Sequence, residues 1–171
     1  MLLQLEIPLD TAACAADLAH QAGVRVILNP APAPAGPLPA GLLNCVDILI
    51  PNESEAGALA GMRVSDLPSA KDAALRLINQ GVGTVIITLG AKGALVVSPE
   101  VQQLVPGYPV AAVDTTASGD AFNGGLAVAL AAGKGLVEAV RFANGCGALA
   151  ATRLGAQPSL PSLDEVTSLM G

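Results

Sequence analysis

At 171 residues the chain has the size of one domain, with room for a sizeable core. A net charge of −6 with only eight Lys and Arg excludes nucleic acid and anionic membrane surfaces as expected partners. Hydrophobic residues make up 52% of the chain but aromatics only 2%, so the core is expected to be Ala, Val, Leu and Ile, a set suited to close helix-on-sheet packing.

No uncharged apolar run approaches the ~20 residues of a membrane span. The opening Met-Leu-Leu-Gln-Leu-Glu lacks the basic lead of a signal peptide, and a cytoplasmic location is expected. Cys14, Cys45 and Cys146 are odd in number, widely spaced and fit no zinc pattern. They are expected to be small buried thiols in a reducing compartment. The single histidine, His20, excludes a His-pair metal site, and its place on a predicted helix face gives it no expected role in a Ser-His triad.

Residues 2–5 read as a first strand, and Asp10 or Thr11 as the cap of a helix running to Ala22 and ended by Gly23. Val24 to Leu28 is a second buried strand, followed by a Pro- and Ala-rich loop from Asn29 to Pro39. Val46 to Ile50 is a third strand, after which Asn52 caps a helix that stops at Gly61. Glu53 and Glu55 suit the positive end of that helix without any further role. Ser69 is expected to cap a helix from Ala70 to Gln80. Thr84 to Thr88 is a fourth strand.

The Gly-rich Leu89-Gly-Ala-Lys-Gly93 follows that fourth strand. It reads either as a ligand loop at a strand's carboxyl end or as a β-turn leading into strand Ala94 to Val97. Gln102 to Val105 pairs back as an antiparallel edge. Apolar strands alternating with helices predict a mostly parallel α/β sheet covered on both faces.

Val110 to Val113 is a further apolar run, expected to be the central strand. The small, polar Asp114-Thr-Thr-Ala-Ser118 then leads into a helix opened by Gly119 and Asp120. Free N–H groups and partial positive charge at such a helix start attract anions, and small residues at Ala117, Ser118 and Gly119 let a phosphate approach the backbone. Asp120 is either an ordinary first-turn acid or a carboxylate placed to orient an attacking hydroxyl. The loop is not a Walker A motif, having no Lys-Ser/Thr after its glycines, nor a Gly-x-Gly-x-x-Gly fingerprint. A helix from Leu136 to Ala151 follows, on which Asn144 is the polar residue of note, and Ser162 with Glu165 forms a capping box for a last helix.

The run Asp114-Thr-Thr-Ala-Ser-Gly-Asp-Ala-Phe-Asn-Gly125 resembles the C-terminal signature of the ribokinase-like (PfkB-type) carbohydrate kinases. Four further stretches resemble the same family in the same order: Asn29-Pro-Ala-Pro-Ala33, Asn52 to Glu55, Thr88 to Gly93, and Thr152 to Pro161. The resemblance implies a three-layer, doubly wound, ribokinase-like sheet. Residues 1–171 would form a single nucleotide-binding and catalytic domain, without the family's N-terminal strands and β lid. It implies transfer of the ATP γ-phosphoryl to a sugar hydroxyl, with D-ribose at O5 as the leading acceptor.

In that reading Asp120 is the base, and Ala117, Ser118 and Gly119 complete the anion hole with it. Glu6 and Asp120 are the matching sugar contacts. Asn52, Thr88, Gly90, Gly93, Gly119 and Asn144 match nucleotide-binding positions, with Asn144 at the adenine pocket unless it is merely a polar helix residue. Glu55 matches the carboxylate acting on the water shell of Mg2+. A K+ site is implied at Asp114, Thr116, Ala150, Arg153, Gly155 and Ser159, several through backbone carbonyls. The alternatives are a non-catalytic nucleotide-binding module with an incomplete sugar site, or a kinase for a fructose-type sugar or a nucleoside. Partners are small molecules, ATP and sugar. A homodimer belongs to the full-length form, since the lid that would mediate it is not expected here.

Overall fold

The computed structural model describes every residue except Ala35, which lies within the Pro-rich loop. Its contacts separate two compact units, residues 1–89 with 95–103, and residues 90–94 with 104–171.

In the first unit, β1 (Leu2–Gln4), β2 (Ile27–Asn29), β3 (Ile48–Leu49) and β4 (Thr84–Thr88) lie side by side in chain order, each parallel to the next. β5 (Gly93–Val97) and β6 (Gln102–Pro106) continue the order. The links before β5 and β6 are far too short for a parallel crossover, so these two strands run antiparallel and the sheet is mixed. Four helices connect the parallel strands: α1 (Leu9–Gln21), α2 (Ala40–Leu43), α3 (Glu53–Ala60) and α4 (Leu67–Ile78). Right-handed crossovers between consecutive neighbours send all of them to one face. The core shows this in its period of two: Val26, Leu28, Leu49, Val85, Ile87, Leu95 and Val97 pack with the helix residues Ala16, Leu42, Ala56, Ala73 and Leu77. Ile27, Ile48, Ile86 and Val96 point to the opposite face and are buried as well, the mark of a sheet covered on both sides.

Several expected boundaries shift for local reasons. α1 begins at Leu9 behind Pro8, whose carbonyl accepts from the N–H groups of Thr11 and Ala12, so Asp10 is a first-turn acid and neither it nor Thr11 is the cap. β2 starts only at Ile27, leaving Val24 exposed, and β3 is reduced to Ile48–Leu49 with flanking bonds to Val26 and Leu28. α4 is capped by Asp66, and Ser69 is the third-position partner that donates to it, not the cap. The short α2 is unannounced in the sequence. Cys14 is exposed, against expectation, while Cys45 and Cys146 are buried. No described helix is long and apolar enough to cross a membrane.

The second unit holds α5 (Ser118–Ala131), α6 (Leu136–Ala150) and α7 (Leu163–Met170). α5 and α6 approach through glycine. A Cβ on Gly125 would stand 2.6 Å from Cys146 Sγ, and one on Gly147 would stand 3.1 Å from the Ser118 carbonyl oxygen. α7 packs Val166 against Gly145 of α6. The expected strand Val110 to Val113 is absent. Ala111, Ala112 and Val113 are exposed, and the N–H groups of Val113 and Asp114 donate to the carbonyl of Ala151 just past α6. An apolar run becomes a strand only where neighbouring strands take up its backbone groups, and here a helix end takes them.

Candidate active site

In the first unit the relevant residues gather at the carboxyl ends of the parallel strands, where open α/β sheets bind ligands. Gln4 at the end of β1 donates to Asn29 Oδ1 at the end of β2 (3.0 Å), and Asn29 Nδ2 donates to the carbonyl of Ile50 (2.7 Å). This polar ladder was not foreseen, although Gln and Asn closing successive apolar strands are its visible signal. Asn52 forms a parallel bridge with Thr88, whose N–H donates to the Pro51 carbonyl at 3.0 Å. Asn52 and Glu55 form a complete capping box: Glu55 N–H donates to Asn52 Oδ1 (2.9 Å) and Asn52 N–H to Glu55 Oε2 (2.8 Å). The fold therefore brings Asn52, Glu55 and Thr88 together, with one Glu55 oxygen engaged and the side chain nearly buried. Glu6 is exposed beyond β1.

In the second unit, Gly90 to Lys92 form a 3-10 turn rather than an open loop. Gly90 and Gly93 both have positive φ, +58° and +101°. At Gly93 the chain presses so closely on the end of β6 that a Cβ would lie 2.1 Å from the Val105 carbonyl oxygen. Asn144 on α6 is buried and its Nδ2 donates to the carbonyls of Val105 (3.0 Å) and Pro106 (3.1 Å). Asn144 and Gly93 thus meet the same backbone segment, and the Asn144 amide holds α6 to it.

Asp114 ties two loops. Its Oδ1 accepts from Thr116 N–H (2.9 Å) and its Oδ2 from Gly155 N–H (3.0 Å). Those bonds, Gly155 first, hold its carboxyl below the usual carboxylate range. Of the positions expected to hold K+, Asp114, Thr116 and Gly155 are brought together in this way, and the Ala150 to Ser159 segment runs alongside through the Ala151 carbonyl. Ser159 is fully buried and donates to the Ala156 carbonyl. The Arg153 side chain pairs with Glu165, whose carboxyl falls to about 2 through that guanidinium and the N–H and hydroxyl of Ser162. No cluster of three His, Cys, Asp or Glu able to hold a metal exists among the described residues.

The entry to α5 differs from other helix starts. α3, α4 and α7 each begin with a capping box. α5 is entered through Ala117 at φ +59°, the one non-glycine positive φ among the described residues, and no side chain caps it. A left-handed alanine costs about 1–2 kcal/mol, so the surrounding structure must hold the backbone there. The turn behind it carries exposed Gly119 and Asp120. An uncapped helix start of small residues presents free N–H groups and the positive end of the helix dipole, which attract anions.

The profile described as "pfkB family carbohydrate kinase" matches residues 2–163. A ribokinase of Haemophilus influenzae is 44% identical over 170 residues, covering 99% of this chain and 55% of the relative. A ribokinase of Staphylococcus aureus is 40% identical, covering 97% and 54%. The crystal structure of Thermotoga maritima ribokinase superposes with a TM-score of 0.89 at 40% identity, over 99% of this chain and 55% of that one. Arabidopsis thaliana ribokinase complexed with ribose and ATP gives 0.91 at 35% identity, with the same coverage. The chain spans about half the length of the curated relatives it matches. Fold and sequence together place it: the chain belongs to the pfkB family of carbohydrate kinases and has a ribokinase-like fold.

Proposed function

We propose that this chain supplies the nucleotide-binding and base-bearing part of a cytoplasmic ATP-dependent sugar kinase, with D-ribose as the leading acceptor at O5. The observation that carries the proposal is the uncapped entry to α5, where left-handed Ala117 precedes exposed Gly119 and Asp120. Phosphoryl transfer asks mainly for alignment and charge neutralisation. The N–H groups of residues 117–120 would neutralise the transferring group. Asp120 would orient the acceptor hydroxyl and take its proton as the bond to phosphorus forms and the bond to the ADP oxygen breaks. Glu6 is the further sugar contact in this assignment.

To the first unit we assign Asn52 and Thr88 as nucleotide contacts and Glu55 as the carboxylate acting on Mg2+-bound water. To the second we assign Gly90, Gly93 and Asn144 as nucleotide contacts. Mg2+ prefers oxygen ligands and keeps several waters, so one carboxylate fits it without a ligand cluster, and its chemistry there would be charge neutralisation. K+ would be held by the loops that Asp114 joins, involving Thr116, Ala150, Arg153, Gly155 and Ser159, with the Asp114 bonds fixing the backbone that presents their oxygens.

The test is mass detection of a phosphorylated sugar from ATP–Mg with D-ribose, a fructose-type sugar or a nucleoside. The proposal expects D-ribose to be the preferred acceptor, and preference for another acceptor would replace it with that specificity. The alternative that the same assay distinguishes is a nucleotide-binding module without transfer. Saturable ATP binding with no phosphorylated product from any acceptor would establish it.

A further inference from the structure

Among the described residues, two buried side-chain polar atoms lack a hydrogen-bond partner, and both belong to the first six residues of α5: Ser118 Oγ and Asn123 Oδ1. Asn123 is 3% exposed, and its neighbours Ala121, Phe122, Gly125 and Leu126 are buried. Leaving an amide oxygen unpaired there is costly, and a leucine of similar volume would carry no such cost. Asn123 follows Gly119 by four residues and Asp120 by three, so all three share one side of the helix. Helical side chains lean toward the N-terminus, so the Asn123 amide leans toward the turn that bears Gly119 and Asp120. No side chain caps that turn.

We propose that Asn123 is a positioning residue for transfer: its Oδ1 accepts a hydrogen bond from an internal water that braces the opening turn of α5 from below. The water donates one O–H to Asn123, and its remaining hydrogen-bonding capacity serves the polar groups of the turn, as buried waters ordinarily do. A polar side chain kept inside a core where a leucine would fit is thereby explained by the placement of Asp120. Small misplacements of such a group are expensive to a reaction that depends on alignment.

This inference rests on the proposed transfer reaction, so its test includes readouts that need no turnover. In the 15N-labelled protein, water-selective NOE spectra are expected to show a long-lived water at the Asn123 side-chain amide, lost in Asn123→Leu. The order parameters of the Gly119 and Asp120 N–H groups are expected to fall in that variant while those of Leu126 and Ala129 hold. Its unfolding temperature is expected to stay the same or rise. In turnover, kcat is expected to fall about tenfold with the KM for ATP within about twofold. Absence of a long-lived water in the wild type overturns the proposal, and this requires no variant to fold. So does an Asn123→Leu protein with unchanged order at Gly119 and Asp120, or with unchanged kcat. Asn123→Ser, which keeps an acceptor within reach of the water, is expected to retain more of kcat than Asn123→Leu, and the reverse ranking also overturns it. Failure of the kinase reading alone would appear as no phosphorylated sugar from the wild type, with the water and order-parameter results standing independently.

Discussion

Paired substitutions at Gly93 and Gly90 separate what the turn after β4 does for packing from what it does for nucleotide. At Gly93 φ is +101°, and an alanine Cβ would lie 2.1 Å from the Val105 carbonyl oxygen and 2.4 Å from Gly107 N. Both obstacles are backbone, so no rotamer change relieves them. The backbone conformation costs alanine about 1–2 kcal/mol and the overpacking about 1–3 more, so Gly93→Ala should lose about 2–5 kcal/mol. At Gly90 φ is +58° and nothing lies within 4 Å of the added Cβ, so only the backbone cost of about 1–2 kcal/mol applies. Urea unfolding followed by circular dichroism, with the slope held constant across variants, reads both values. If Gly90 approaches the nucleotide, Gly90→Ala should also weaken ATP–Mg binding beyond its small stability loss. A Gly93→Ala protein within about 1 kcal/mol of wild type would refute the close approach of the turn to β6.

Replacing K+ by tetramethylammonium at equal ionic strength should weaken ATP binding or turnover, and Asp114→Ala, by releasing Thr116 and Gly155, should remove that difference; equal behaviour in both salts sinks the cation assignment. Glu165 has its carboxyl lowered from 4.5 to about 2, so its stabilising effect is complete above about pH 4.5 and is lost as pH falls toward 2. The stability gap between wild type and Glu165→Gln, measured by thermal melts, should therefore close across that window, and a gap independent of pH would contradict the pairing with Arg153. Alkylation of the native protein with iodoacetamide should modify exposed Cys14 first and spare Cys45 and Cys146, since burial pushes the Cys146 thiol up to about 11 and raises that of Cys45; rapid labelling of Cys146 would show that the α5–α6 contact opens.

What was legible in the sequence was mostly local. The Asn52 cap and the capping box of Ser162 with Glu165 are patterns within four residues, and both formed, the first as a full capping box with Glu55. Asp66 and Ser69 show the limit of that locality, because either residue type caps a helix and only the geometry assigns the donor. β4 was clear from its β-branched run, Thr84–Thr88. Val110 to Val113 has an equally apolar pattern but no strand, because pairing depends on partners that a run of residues does not specify. The signature from Asp114 to Gly125 led to the expectation of an anion site, yet the left-handed Ala117 and the orphaned oxygens of Ser118 and Asn123 are visible only in three dimensions. The two hydrogen bonds from Asn144 to the carbonyls of Val105 and Pro106 span 39 and 38 residues and were equally hidden.

The most direct test of the proposed chemistry is D-ribose-dependent ADP release by the wild-type protein and by Asp120→Asn, at saturating ATP–Mg. The amide keeps the shape of the carboxylate but cannot accept the hydroxyl proton. The account predicts a loss of about 10²-fold or more in the sugar-dependent rate, with ATP affinity unchanged within a few-fold. A sugar-dependent rate retained within about threefold in Asp120→Asn would contradict the assignment of the base.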